Sequence, residues 1–197
     1  RQMLFWTQEE YTKFADEMMD KPRSFYAFEM LYWCGIREGE LLALTPEDFD
    51  FEKGTVSINK TYNRINRRDV ITDPKTPKSN RVIQMPDFLV EEMKDYMQRF
   101  YKIGPKDRLF EVTKYYLRHE MDRGARAAGV KRIRIHDLRH SHISLLIRLG
   151  YSAVAIADRV GHESIAITYR YAHLFPSTQR EMAKSLGNLR KGEENVS

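Results

Sequence analysis

Between residues 54 and 85 the chain abandons a helical repeat for a strand-like one, and that switch constrains its fold more than any other feature. On either side of it, apolar residues recur at helical spacing and Gly or Pro closes each run. Thr7-Gln8-Glu9-Glu10 offers an N-cap and an acidic first turn ahead of Tyr11, Phe14, Ala15 and Met18, which predicts a helix over 8–20. Pro22 opens a second helix ending near Gly35, and a short third covers 38–44 before Thr45-Pro46. Inside the switch, short β-like runs at 55–59, 69–72 and 81–85 predict one small sheet. Further helices are predicted over 88–101, 113–128, 136–149, 152–160, 165–171 and 177–186. The fold class is therefore α+β: mainly α with a small three-stranded antiparallel β-sheet. Residues 1–190 read as one domain and 191–197 as a flexible tail.

Lys and Arg total 33 against 28 Asp and Glu, a net charge of +5 that favours an anionic partner without identifying one. The excess is concentrated. Lys60, Arg64, Arg67, Arg68, Lys75, Lys78 and Arg81 face only Asp69 and Asp73, and a second basic stretch spans 118–139. Taken alone, each stretch reads as a solvated face. Cys34 is the only cysteine, which excludes an internal disulfide and fits a reducing, intracellular setting. No apolar stretch could span a bilayer and the start lacks a signal-peptide core, so the expected location is cytoplasmic, away from membranes.

The chemically interesting residues have bland readings when taken singly. Arg37 precedes Glu38 and Glu40 and could be a surface arginine paired with a carboxylate. His136 and Arg139 stand three apart on one helix face. His140 lies one turn after His136, with His142 close by, but the Glu of a His-Glu-x-x-His zinc motif is absent and no third ligand is obvious, so no metal is expected. His162 could be a capping histidine, and Tyr169 and Tyr171 could be packing residues.

In order and spacing, however, four strings together resemble one family, the tyrosine recombinases or phage integrases, and especially the integrases of phages and conjugative transposons. They are Arg37-Glu38-Gly39-Glu40, His136-Asp137-Leu138-Arg139, Val160-Gly161-His162 and Thr168-Tyr169-Arg170-Tyr171. The family's hairpin lysine is matched by Lys75 in Pro74-Lys75-Thr76-Pro77-Lys78-Ser79, with Lys78 as its rival. Tyr171 matches the nucleophile's register, with Tyr169 as fallback. The resemblance covers nearly the whole chain and implies a catalytic domain. The N-terminal core-binding and arm-binding domains that such enzymes carry are absent from these 197 residues.

The resemblance implies a site-specific recombinase that integrates and excises a mobile element, cutting and rejoining DNA through a 3′-phosphotyrosyl link and working as a tetramer on two duplexes through a Holliday junction; residues 177–186 either pack on their own domain or, as the resemblance implies, dock on a neighbouring protomer. No cofactor is implied, neither ATP nor metal, because the protein link conserves the phosphodiester energy. A phenol with an ordinary pKa of about 10 needs help to attack. Arg37 and Arg139 suit the charge that builds on the non-bridging oxygens, His162 can add a donor, and His136 can accept or return the tyrosine proton. Lys75 would protonate the departing 5′ oxygen, and Glu40 would orient Arg37. Lys60, Arg64, Arg67, Arg68, Lys78 and Arg81 are expected to contact DNA phosphates without reading bases. Three other readings stay open: a type IB topoisomerase, a non-catalytic DNA-binding module, and a metal-dependent hydrolase built on His136, His140 and His142.

Overall fold

The computed structural model describes residues 3–74 and 76–191. Helix α1 (Gln8–Asp16) begins at the expected N-cap, Thr7, which accepts from the Glu10 backbone while the Glu10 carboxylate accepts from the Thr7 backbone, completing a capping box. It stops four residues before the spacing predicts, and Met18 reaches the core from the turn that follows. Helix α2 (Pro22–Cys34) is buried along nearly its whole length, and α3 (Glu38–Ala43) follows after a sharp corner at Gly35.

That corner requires glycine twice over. Gly35 has φ +64, in the left-handed region, and a side-chain carbon there would lie 2.4 Å from the His142 ring. The close approach lets α2 pack against α6 (Ile135–Arg148) and delivers Arg37 to the N-cap of α3.

Among the described residues, five strands form two sheets. β1 (Phe49–Asp50), β2 (Thr55–Ile58) and β5 (Arg81–Gln84) form a three-stranded antiparallel sheet in the order β1-β2-β5. Val56, fully buried, is opposite Phe49 on one side and Ile83 on the other. Of the three runs read from the sequence, 55–59 and 81–85 therefore meet, whereas 69–72 does not join them. It lies in β4 (Arg68–Thr72) and pairs with β3 (Thr61–Ile65) as a separate hairpin. Asn66 and Arg67, with φ +50 and +63, make its two-residue turn, whose twist matches that of paired strands. β3 escaped the sequence reading because only Tyr62 on it is buried, leaving no alternation of apolar residues to detect.

The remaining helices are α4 (Asp87–Gln98), α5 (Lys114–Ala128), α6, α7 (Ala153–Val160), α8 (Ile165–Thr168) and α9 (Gln179–Lys191). The helix expected over 165–171 ends at Thr168 and tightens into a 3-10 turn, Tyr169–Leu174. Most buried apolar side chains form one core around α2 and α6. A second, smaller cluster joins Ile143, Ile147, Ile156, Val160 and Tyr171. Among the described residues no helix is long and apolar enough to cross a membrane. Lys191, read as the start of the tail, ends α9, and residues 192–197 lie outside the described residues.

Replacing Gly35 by alanine should destabilise the fold by about 1–3 kcal/mol from the backbone conformation alone, before the His142 ring is displaced. Urea denaturation of the variant beside the parent measures this, and an unchanged midpoint would contradict it.

Candidate active site

Arg37, Arg139, His136, His162 and Tyr171, from four separate segments of the chain, line one open cavity of about 650 Å³. A second cavity of about 470 Å³, lined also by Lys60, Lys114, Pro74 and Thr76, shares Arg37 and His136 with it. Lys75 itself lies outside the described residues.

Glu40 sets Arg37. Its carboxylate accepts from the Arg37 backbone N–H at 2.8 Å and from Arg37 Nη1 at 3.0 Å. The same buried carboxylate accepts both Nη1 and Nη2 of Arg81, each at 3.1 Å. Burial alone would raise its pKa, but the two guanidinium groups hold it below the usual carboxylate value. Arg37 keeps 39% of its side chain exposed, so part of its fork remains free for a ligand.

Arg139 is 3% exposed on α6. Its Nη1 donates to the Gly35 carbonyl at 2.8 Å, so the glycine corner holds a second arginine. Its Nη2 is buried with no hydrogen-bond partner among the described residues. Burial, with Arg37 as the next contributor, lowers its pKa to about 9. A buried, unpaired guanidinium nitrogen is costly, and an anion supplies what it lacks.

His162 follows Gly161, which ends α7 at φ +68. Its backbone N–H donates to the Ala157 carbonyl at 2.9 Å, and its Nδ1 lies 2.7 Å from Thr168 Oγ1. Burial and the neighbouring cations Arg139 and Arg37 bring its pKa to about 3, so the ring is neutral at pH 7. His136 sits at the rim of the cavity. Partial desolvation, then His140 and Arg139, lower its pKa to about 4.

Tyr171 is 3% exposed, with its ring in the smaller core and its hydroxyl hydrogen-bonded to His140 Nδ1. Burial raises the phenol to about 12, against the pull of Arg139 and Arg170. Tyr169, the fallback nucleophile, is 55% exposed and lines neither cavity. The tight 3-10 turn directs the two tyrosines to different environments.

Two expected phosphate contacts have other partners. Arg81 is buried against Gly161, and its guanidinium is spent on Glu40 and on the Ser79 and Arg159 carbonyls. It therefore braces the site from within. Lys60 is tied to Asp48 at 2.5 Å. Arg64, Arg67, Arg68 and Lys78 are exposed, as expected. The three histidines of the metal alternative diverge, because His142 is buried against Gly35 and accepts from Arg159 Nε at 3.1 Å. Sequence reasoning missed the contact between His140 and Tyr171. Its only trace was the one-turn spacing from His136.

Glu40→Gln should destabilise the protein by about 3–5 kcal/mol, because it strands the buried Arg81 charge. Arg37→Ala, which removes a part-exposed group, should cost much less. Thermal unfolding of both variants checks the order, and equal losses would refute the bracing role of Glu40.

A model of the phage integrase family matches residues 5–178. The ICEBs1 integrase of Bacillus subtilis (strain 168) is 31% identical over 96% of this chain and 55% of its own length. The integrase of Staphylococcus phage L54a is 30% identical over 83% and 51%. The chain thus spans about half the length of these relatives. Among solved structures, the Tn1549 transposon integrase in complex with circular intermediate DNA matches with a TM-score of 0.79 at 19% identity, over 96% of this chain and 68% of that one. The catalytic domain of bacteriophage HP1 integrase matches with a TM-score of 0.67 at 19% identity, over 96% of this chain and 98% of that domain. The fold is that of a tyrosine recombinase catalytic domain, and the chain belongs to the phage integrase family.

Proposed function

We propose that residues 1–190 are the catalytic domain of a site-specific DNA recombinase that integrates and excises a mobile element in the cytoplasm of a bacterial cell. The carrying observation is the convergence of Arg37, Arg139, His136, His162 and Tyr171 on one cavity in which Arg139 Nη2 has no partner among the described residues. A DNA phosphodiester completes that arrangement. Its non-bridging oxygens accept from Arg37, Arg139 and His162, whose Nε2 carries the proton when Thr168 donates to Nδ1. Tyr171 attacks phosphorus and gives up its phenolic proton to an imidazole of the cavity, the 3′ side stays on the protein, and the 5′ oxygen leaves with a proton from Lys75. A 5′ hydroxyl from a second duplex then reverses the step. Neither ATP nor metal enters this chemistry.

Arg64, Arg67, Arg68 and Lys78, which are exposed, meet duplex phosphates in this reading and give salt-sensitive and sequence-neutral affinity. On α9, Met182, Leu186 and Leu189 leave an apolar stripe exposed. That stripe suits docking on a neighbouring protomer of a tetramer on DNA. The structural relative bound to circular intermediate DNA supports duplex DNA as the partner.

A nicked suicide duplex carrying the element's attachment site should trap a covalent protein–DNA adduct in the presence of EDTA, and Tyr171→Phe should abolish it. An adduct that survives this change but is lost in Tyr169→Phe would overturn the nucleophile assignment. Relaxation of supercoils with no strand transfer between duplexes would replace the recombinase reading with a topoisomerase.

A further inference from the structure

The cavity holds an imidazole that neither the family motifs nor the scheme above names. His140 lies one turn after His136 on α6 and is half-buried. Its Nδ1 is hydrogen-bonded to the Tyr171 hydroxyl. Its Nε2 faces the Asp137 carboxylate at 3.7 Å. Asp137 is fully buried and pinned by Arg134, which donates its backbone N–H at 2.8 Å, Nε at 3.0 Å and Nη2 at 2.8 Å. A fixed carboxylate beside Nε2 draws the imidazole proton to that nitrogen and leaves Nδ1 as a lone pair. The phenol must then be the donor in the contact.

We propose that His140 is the base that receives the Tyr171 proton, with Asp137 as the residue that positions it. The proposal rests on the recombinase reading and adds a catalytic group to it. As the bond from Tyr171 Oη to phosphorus forms and the bond to the 5′ oxygen breaks, the phenolic proton passes to His140 Nδ1. The 5′ oxygen departs as a hydroxyl with a proton from Lys75. In the rejoining step the proton returns from His140 to the phenolate.

His136 is the rival for this role. Its ring centre lies 4.9 Å from that of His140 in an edge-on arrangement, and it sits where the two cavities meet, beside Arg37. That location suits contact with the phosphate, and no hydrogen bond joins His136 to Tyr171 among the described residues. The need for a base is clear, because the buried phenol is held at about 12.

The charges around His140 set the sign of its pH response. Asp137, Arg134, Arg139 and His136 face it from α6 and its cap, Tyr171 and Arg170 from the 3-10 segment, His162 from the turn after α7, and Arg37 from across the cavity. Desolvation and the cations Arg134 and Arg139 lower its pKa, against the pull of Asp137. The base is therefore neutral and ready at pH 7, and a bound phosphate favours its protonated form. Cleavage should slow as pH falls through the His140 pKa in the DNA complex.

Two measurements test this. In the free wild-type chain, nitrogen-15 NMR should find His140 protonated on Nε2, with an Nδ1 resonance that shifts in Tyr171→Phe. An Nδ1-protonated ring overturns the proposal. On suicide duplexes made from the joined ends of the element encoding the chain, His140→Gln should slow adduct formation by about 10²–10⁴-fold. DNA affinity should stay unchanged and the acid limb of the pH profile should vanish. A 5′-bridging phosphorothiolate, whose thiolate leaves without a proton, should rescue Lys75→Ala but not His140→Gln. A rate within tenfold of wild type with the acid limb intact overturns the proposal, as does loss of that limb in His136→Gln alone. If the wild-type chain forms no adduct, the recombinase reading fails, and the NMR result still decides whether His140 accepts from Tyr171.

Discussion

One buried carboxylate ties the site together. Glu40 holds Arg37 from its own helix and Arg81 from β5, and Arg81 in turn donates to the Arg159 carbonyl near the end of α7 and lies against Gly161. Helix α3, the edge of the sheet and the segment bearing His162 are thus referred to one anion. Buried ion pairs of this kind are weak sources of net stability and strong sources of definite geometry, because a missing partner leaves a charge without solvent. At this position the result is geometry, since Arg37 is held by Glu40 while 39% of its side chain stays open.

The cavity has the opposite balance. Arg139, Arg37 and three imidazoles crowd together, and burial works against the charged forms of Arg139 and of all three imidazoles. Arg139 is held at about 9 and His162 at about 3, both displaced toward their neutral forms. Such a cluster is costly to hold together and is relieved by an anion placed among its donors.

Much of this was legible in the sequence, for reasons that differ by residue. Helix limits followed from capping and punctuation, as Thr7, Pro22 and Gly129 illustrate, because those signals act locally. The strings bearing Arg37, His136, Arg139, His162 and Tyr171 lead to one cavity. Arg81 defied its reading because a basic residue in a basic stretch looks solvated until its partner Glu40, far away in sequence, is seen. His140 was passed over for the same reason, since its acceptor role depends on Tyr171 arriving from a distant turn. The pairing of β4 with β3 hid behind a strand whose polar faces give no periodic signal.

Tyr171 carries a last consequence. Its ring is packed among Ile143, Ile147, Ile156 and Val160, so the phenolic oxygen inherits its coordinates from aliphatic neighbours on α6 and α7. A methyl group lost from that greasy patch would therefore move the hydroxyl as well as loosen the smaller core. The hydroxyl's position in the cavity thus depends on apolar packing as much as on the charged groups around it.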